Sequence, residues 1–191
     1  MQKSILLIIG LLFSVGPLFL EAQSVKIEPV KTLTPPGGPT FSVEGNGLAL
    51  SASFPAAAKN LDEIALTLVL VNQSNASVTL HCDSALAGFH FQLIDSSQQE
   101  ASLTGLHKRL REGGLGVWVV KLDPGSAIVL TIPITRFYTL NSYGKYSLTA
   151  DWKELKVGAV GWQPDNNSKL QLKGDVLLQT SSSGISISTA N

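Results

Sequence analysis

The chain has 191 residues, of which 44% are hydrophobic and only 15% charged, so it can build one apolar core and does not have the composition of a disordered protein. Its 14 basic and 14 acidic residues balance, which leaves no overall field to attract nucleic acid. We therefore expect one globular domain without a nucleic-acid partner.

The first 24 residues have the pattern of a secretory signal peptide. Lys3 supplies the positive charge, residues 5–20 form an apolar run, and Ala22 and Ser24 are small residues at two candidate cleavage points. The alternative is a retained membrane anchor, but the run is shorter than the roughly 20 residues of a spanning helix and is interrupted by glycine and proline. We expect a secreted or periplasmic protein with no membrane span after cleavage.

Residues 25–46 contain the cluster Pro35-Pro36-Gly37-Gly38-Pro39, which cannot lie in a helix or a central strand. This segment is predicted to be a linker or an edge strand. The domain proper is predicted to span residues 47–191.

From Gly47 onward, apolar and polar residues alternate with the two-residue period of half-buried strands. The pattern recurs in nine segments separated by turn-forming residues, and it predicts strands near residues 48–54, 64–70, 78–82, 89–95, 118–122, 126–134, 146–152, 169–178 and 184–189. Residues 96–116 are the least regular part, and we expect a long connection there with a strand fragment or a helical turn. Such a succession predicts an all-β, antiparallel sandwich.

The stretch Leu140-Asn141-Ser142-Tyr143-Gly144-Lys145-Tyr146 resembles the Gly-x-Tyr entry to the penultimate strand of immunoglobulin-like sandwiches. The order of strands resembles that of secreted bacterial immunoglobulin-like domains, including modules beside metallopeptidases and proteinase inhibitors of this fold. The resemblance covers Gly47 to about Ile187 and implies an immunoglobulin-like fold of about 7–9 strands. The chain differs from antibody domains in lacking paired cysteines, and no His-Glu-x-x-His peptidase motif follows.

Three residues receive structural roles from this pattern. Gly144 opens the strand, and the resemblance implies that the Tyr146 hydroxyl bonds back across the corner while its ring enters the core. Trp152 is in phase with Tyr146, so it is predicted to be buried.

The sequence offers no clear catalytic constellation. No Gly-x-Ser-x-Gly turn is present, and scattered Ser, His and Asp residues do not define a triad without geometry. We expect no enzyme and no cofactor.

A metal site is equally unsupported by the pattern. The nearest approach to a ligand set is His81, Cys82, Asp83 and His90, but adjacent strand residues point to opposite faces, so His81 and Cys82 should not share an ion. Cys82, the only cysteine, is predicted to be a buried thiol in phase with Leu80.

Two segments are candidates for binding a partner. Lys108, Arg109 and Arg111 form the one basic cluster, for which the alternative is a solvated loop face. Trp162 and Gln163 lie in a Gly/Pro/Asn-rich stretch predicted to be a loop, where an exposed indole could hold a sugar or a protein. The alternative is that Trp162 folds back as a plug over the end of the core.

These observations favour a non-catalytic binding or accessory module that contacts a protein partner through its end loops. Two alternatives stay open. The first is a proteinase inhibitor that presents residues 161–167 or 107–116, and the second is a carbohydrate-binding module that uses Trp162.

Overall fold

A computed structural model describes residues 24–83, 86–112, 116–140, 143–158, 161–165 and 169–190. Residues 1–23 of the predicted signal peptide lie outside the described residues. In chain order the strands are β1 (Ser24–Pro29), β2 (Gly37–Gly45), β3 (Leu48–Pro55), β4 (Ala57–Ala58), β5 (Ala65–Asn72), β6 (Val78–Asp83), β7 (Phe89–Ile94), β8 (Ser102–Leu103), β9 (Val117–Leu122), β10 (Ser126–Pro133), β11 (Tyr138–Thr139), β12 (Gly144–Trp152), β13 (Leu155–Gly158), β14 (Gly161–Pro164), β15 (Leu170–Ser181) and β16 (Gly184–Thr189). Among the described residues, one α-helix, α1 (Gly105–Glu112), and three short 3-10 helices (Val30–Thr32, Leu61–Glu63, Ile134–Arg136) join them.

The strands form two five-stranded antiparallel sheets in the arrangement of a β-sandwich. The first sheet has the order β1-β10-β5-β3-β2, and the second has the order β4-β16-β15-β12-β7. Three further strand pairs form separate two-stranded sheets: β6 with β9, β8 with β11 and β13 with β14. The fold is therefore all-β and antiparallel, as the alternation in the sequence predicted.

All nine strands predicted from the alternation are present, and their apolar faces meet in one core. In β5 the pattern is strict: Leu66, Leu68 and Leu70 are fully buried, while the residues between them are only partly covered. At about 25 cal/mol for each Å² of apolar surface removed from water, this shared core is the main source of stability.

The N-terminal segment belongs to the first sheet. β1 pairs with β10 at one edge and β2 pairs with β3 at the other. Residues 25–46, predicted to be a linker or an edge strand, contribute to a strand at each edge of this sheet.

The structure contains more strands than the 7–9 that were expected. The additional ones are β1 and β2, the two-residue strands β4, β8 and β11, and the hairpin formed by β13 and β14. Two-residue strands are too short to show a period, so alternation alone does not detect them.

The irregular region after β7 holds a helix of eight residues, α1, which is longer than the single turn we expected. Thr104 precedes it, and its hydroxyl accepts a hydrogen bond from the His107 amide at 3.3 Å while donating to the Arg136 carbonyl. The helix turns His107 inward, where only 2% of the residue is exposed.

Strand β12 contains the three residues for which the sequence predicted structural roles, Gly144, Tyr146 and Trp152. Gly144 begins the strand with φ +143°, a conformation that favours glycine. The Tyr146 ring is buried, and Trp152 at the other end of the strand is fully buried, with its indole N–H donating to the Ala87 carbonyl at 3.0 Å. The hydrogen bond expected from the Tyr146 hydroxyl stays a prediction.

A second tyrosine, which the sequence did not single out, ties the connection before β12 to the second sheet. Tyr138 is fully buried, and its hydroxyl lies 3.2 Å from the Phe91 carbonyl and 3.3 Å from a Glu100 carboxylate oxygen, donating to either. Since β7 is an edge strand, the contact with Phe91 helps to cover the outward side of that edge.

Candidate functional site

Trp162 and Gln163 lie in a β-hairpin, which corrects the prediction of a loop. β13 and β14 pair in register, with Val157 opposite Trp162 and Gly158 opposite Gly161. The prediction of a loop was based on the glycine, proline and asparagine residues in this stretch. The signal for a hairpin is that Val157 and Trp162, both of strand-forming types, lie on either side of a short segment that begins and ends with glycine.

Two contacts close the base of this hairpin. The amide of Asp165 donates to the Glu154 carbonyl at 2.7 Å, and the Lys156 ammonium lies 3.0 Å from the Asp165 carboxylate. At the other end, the Gln163 side chain crosses over Gly158 so closely that an added Cβ there would lie 2.7 Å from the Gln163 Cδ. The Gln163 side chain therefore packs against another residue of the hairpin.

The hairpin rests on the outer face of β6 through an aromatic contact. The Trp162 indole stacks on the His81 imidazole with ring centroids 5.1 Å apart and an interplanar angle of 27°. The His81 Nδ1 lies 3.8 Å from a Glu154 carboxylate oxygen. Trp162 remains 44% exposed, so it is not a plug over the core.

Two exposed valines extend this contact into an apolar surface. Val119 lies opposite His81 in the β6–β9 pair, and Val157 lies opposite Trp162 in the hairpin. Val119 is 56% exposed and Val157 is 72% exposed. We call Val119, His81, Val157 and Trp162 the His81–Trp162 surface.

This surface concentrates the exposed apolar side chains of the described residues. Among all the described residues, five large apolar side chains are exposed: Ile27, Val119, Tyr143, Val157 and Trp162. Three of the five belong to the His81–Trp162 surface. Single exposed apolar residues are ordinary, whereas a contiguous group points to a contact site.

The next residue of β6 faces the opposite way. Cys82 is fully buried, and its thiol donates to the Trp118 carbonyl at 3.6 Å. Burial, followed by the charges of Asp83 and Glu154, raises the pKa of Cys82 to about 12, so the thiol is protonated and unreactive at neutral pH. His81 and Cys82 thus face opposite sides of β6, as predicted, and the described residues contain no group of three or more His, Cys, Asp or Glu arranged to hold a metal ion.

The basic cluster lies on α1 and not on a loop. Lys108 is exposed on the helix, while the side chains of Arg109 and Arg111 lie outside the described residues. His107, which immediately precedes this cluster in the sequence, is enclosed by Phe91, Phe137 and Tyr138, with ring centroids 4.9–5.3 Å away. The spacing of Leu106, His107 and Leu110, which is helical, was the signal that could have revealed this arrangement.

No protein-family model matches the sequence, and a comparison with curated proteins also finds no match. In the part of the chain that the structure describes, no helix has the length and apolar character needed to cross a membrane.

Proposed function

We propose that this protein is an exported, immunoglobulin-like β-sandwich that acts as a non-catalytic binding module and contacts a protein partner through the His81–Trp162 surface. The antiparallel sandwich, the signal-like N-terminus and the resemblance around Tyr146 support the first part of the proposal. The observation that carries the second part is the exposed, contiguous group of aromatic and aliphatic side chains.

The composition of this surface favours a protein partner. An exposed tryptophan with aliphatic neighbours is typical of the centres of protein interfaces, where burial of apolar area and aromatic contacts supply most of the binding energy. The two valines add apolar area without hydrogen-bonding groups, which suits another protein better than it suits a sugar. Glu154, whose carboxylate lies 3.8 Å from the His81 Nδ1, supplies a polar group beside this surface, as the rim of an interface requires.

The surface is also fixed before any partner arrives. Trp162 belongs to a paired strand and stacks on His81, so less side-chain entropy is lost on binding than for a tryptophan in a free loop. This pre-organisation supports recognition by the hairpin. Of the two segments considered for an inhibitory loop, residues 161–164 form a strand and residues 107–112 are helical.

The test is capture of a partner from the culture fluid or envelope of the source cells, with three forms of the protein as bait. The first is the unchanged protein, the second carries Trp162→Ala, and the third carries Tyr143→Ala. Tyr143 is the matched control because it is an exposed aromatic residue, 49% accessible, that precedes β12, whereas the hairpin follows the other end of that strand.

We expect one protein to be retained by the unchanged form and by Tyr143→Ala but lost with Trp162→Ala. Loss of an interface tryptophan typically costs about 2 kcal/mol or more, which is more than tenfold in affinity. Equal retention by all three forms would remove the His81–Trp162 surface from the proposal.

A further inference from the structure

A cavity of about 440 Å³ lies at the β7 edge of the second sheet, and Asp83 at the end of β6 also lines it. Its floor is the sheet face that points away from the core, and α1 forms a wall through Leu110 and His107. The volume is within the range of about 300–1,000 Å³ that is usual for small-molecule sites.

The floor carries hydrogen-bonding side chains from three adjacent strands. His90 on β7, Asp151 on β12 and Gln171 on β15 form one row in register across the sheet. Gln92 and Thr149, which are opposite each other, form the next row. Amide, carboxylate, imidazole and hydroxyl groups in such rows can donate and accept hydrogen bonds along one side of a ligand.

Asp151 is the fixed centre of these rows. The residue is only 8% exposed, and its carboxylate lies 3.3 Å from the Lys153 ammonium and 3.4 Å from the Lys169 ammonium. These lysines offset the negative charge and hold the carboxylate in place, so that it can accept hydrogen bonds from a ligand at low cost of reorganisation.

The wall contributes apolar side chains, and contacts with the rest of the fold hold it in position. Leu86 and Leu110 line the cavity beside the rows of polar side chains. α1 is kept in position by the Thr104 cap and by His107, which stacks on Phe91 with ring centroids 5.3 Å apart. The cavity thus has a hydrogen-bonding side and an apolar side, both formed before any ligand binds.

We propose that this cavity binds a carbohydrate. A sugar ring presents hydroxyl groups around its rim and C–H groups on its faces, so it matches rows of planar hydrogen-bonding groups beside an apolar wall. The cavity lining includes none of the four residues of the His81–Trp162 surface, and neither proposal depends on the other.

The experiment uses the chain without its signal segment and a panel of soluble cello-, chito- and malto-oligosaccharides. Saturation-transfer NMR identifies which saccharides bind, and calorimetric titration measures the affinity. Two variants, Gln92→Ala and Gln171→Ala, remove amide groups from the floor. Gln179→Ala is the matched control, because Gln179 is an exposed glutamine of the same strand as Gln171 and does not line the cavity.

We expect at least one saccharide to bind, with affinity reduced about tenfold by Gln92→Ala or Gln171→Ala and unchanged by Gln179→Ala. Trp162→Ala should also leave this affinity unchanged. Absence of saturation transfer to every member of the panel would overturn the proposal. So would a bound saccharide whose affinity depends on Trp162 and not on the two floor glutamines.

Discussion

Strand β6 separates two regions that use tryptophan in opposite ways. Its residue Cys82 faces the interior, beside the fully buried Trp152, while its neighbour His81 faces outward and stacks on Trp162, which is 44% exposed. The inner indole has its N–H bonded to the Ala87 carbonyl, whereas the outer indole has one ring contact and an open side. Trp152 thus belongs to the core, whereas Trp162 is the residue that we propose for recognition, and both roles can be tested by substitution.

The largest effect should come from Trp152→Ala. Truncation of a fully buried tryptophan leaves a cavity and an unpaired carbonyl, so we expect the free energy of unfolding to fall by about 3–5 kcal/mol. Urea denaturation followed by circular dichroism measures this. If the loss were no larger than that of Trp162→Ala, the contrast between the two regions would not hold.

Gly88→Ala should be the next most damaging change. Gly88 has φ +80°, and an added Cβ would lie 2.7 Å from the Trp152 indole nitrogen and 2.8 Å from the Cys82 Cβ. We expect a loss of about 2–4 kcal/mol from the backbone conformation and the crowding together.

Gly125→Ala is the matched control for this substitution. Gly125 also has a positive φ, +68°, but no atom lies within 4 Å of the Cβ position. It should lose only the backbone contribution, about 1–2 kcal/mol, in the same urea experiment. Equal losses for the two variants would show that the close approach of Gly88 to Trp152 has no energetic weight.

The inner region should also respond to alkaline pH through Cys82. Its thiol pKa is raised from 9.0 to about 12 in the folded protein, so the folded state holds its proton more tightly than the unfolded state does. The stabilisation is complete below pH 9.0 and is lost as pH rises toward about 12, by roughly 1 kcal/mol for each pH unit.

The measurement is the free energy of unfolding as a function of pH for the unchanged protein and for Cys82→Ala. The variant should be less stable at neutral pH because it has a small cavity, but its stability should fall less steeply in the alkaline range. The same slope in both proteins would contradict a buried, protonated thiol.

The sequence predicted the inner region far better than the outer one. A two-residue period is a direct consequence of one buried sheet face, so Leu66, Leu68, Leu70 and Trp152 could be placed in the core without any knowledge of the partner strands. One strong local signal was missed: Asn46-Gly47, with φ values of +55° and +75°, joins β2 to β3 as a two-residue hairpin turn.

The outer region depends on contacts that no local pattern encodes. The stacking of Trp162 on His81 joins residues that are distant in the chain, and the cavity beside β7 takes its floor from three strands. Alternation indicates which face each residue occupies, but it does not indicate which strands become neighbours. The outward-facing polar residues therefore looked like ordinary solvated positions.

The smallest effect is expected in the outer region and is measured with a double-mutant cycle. Trp162→Ala and His81→Ala should each change the free energy of unfolding by about 1 kcal/mol or less, because both side chains are partly exposed and outside the core. Since the two rings stack at 5.1 Å, the double variant should lose less than the sum of the single losses, by about 0.5–1 kcal/mol. Strictly additive losses would mean that His81 does not hold the indole, and the pre-organisation argument for recognition would then fail. A coupling of the expected size, with an intact core, would show that Trp162 is held in place at little cost to the fold.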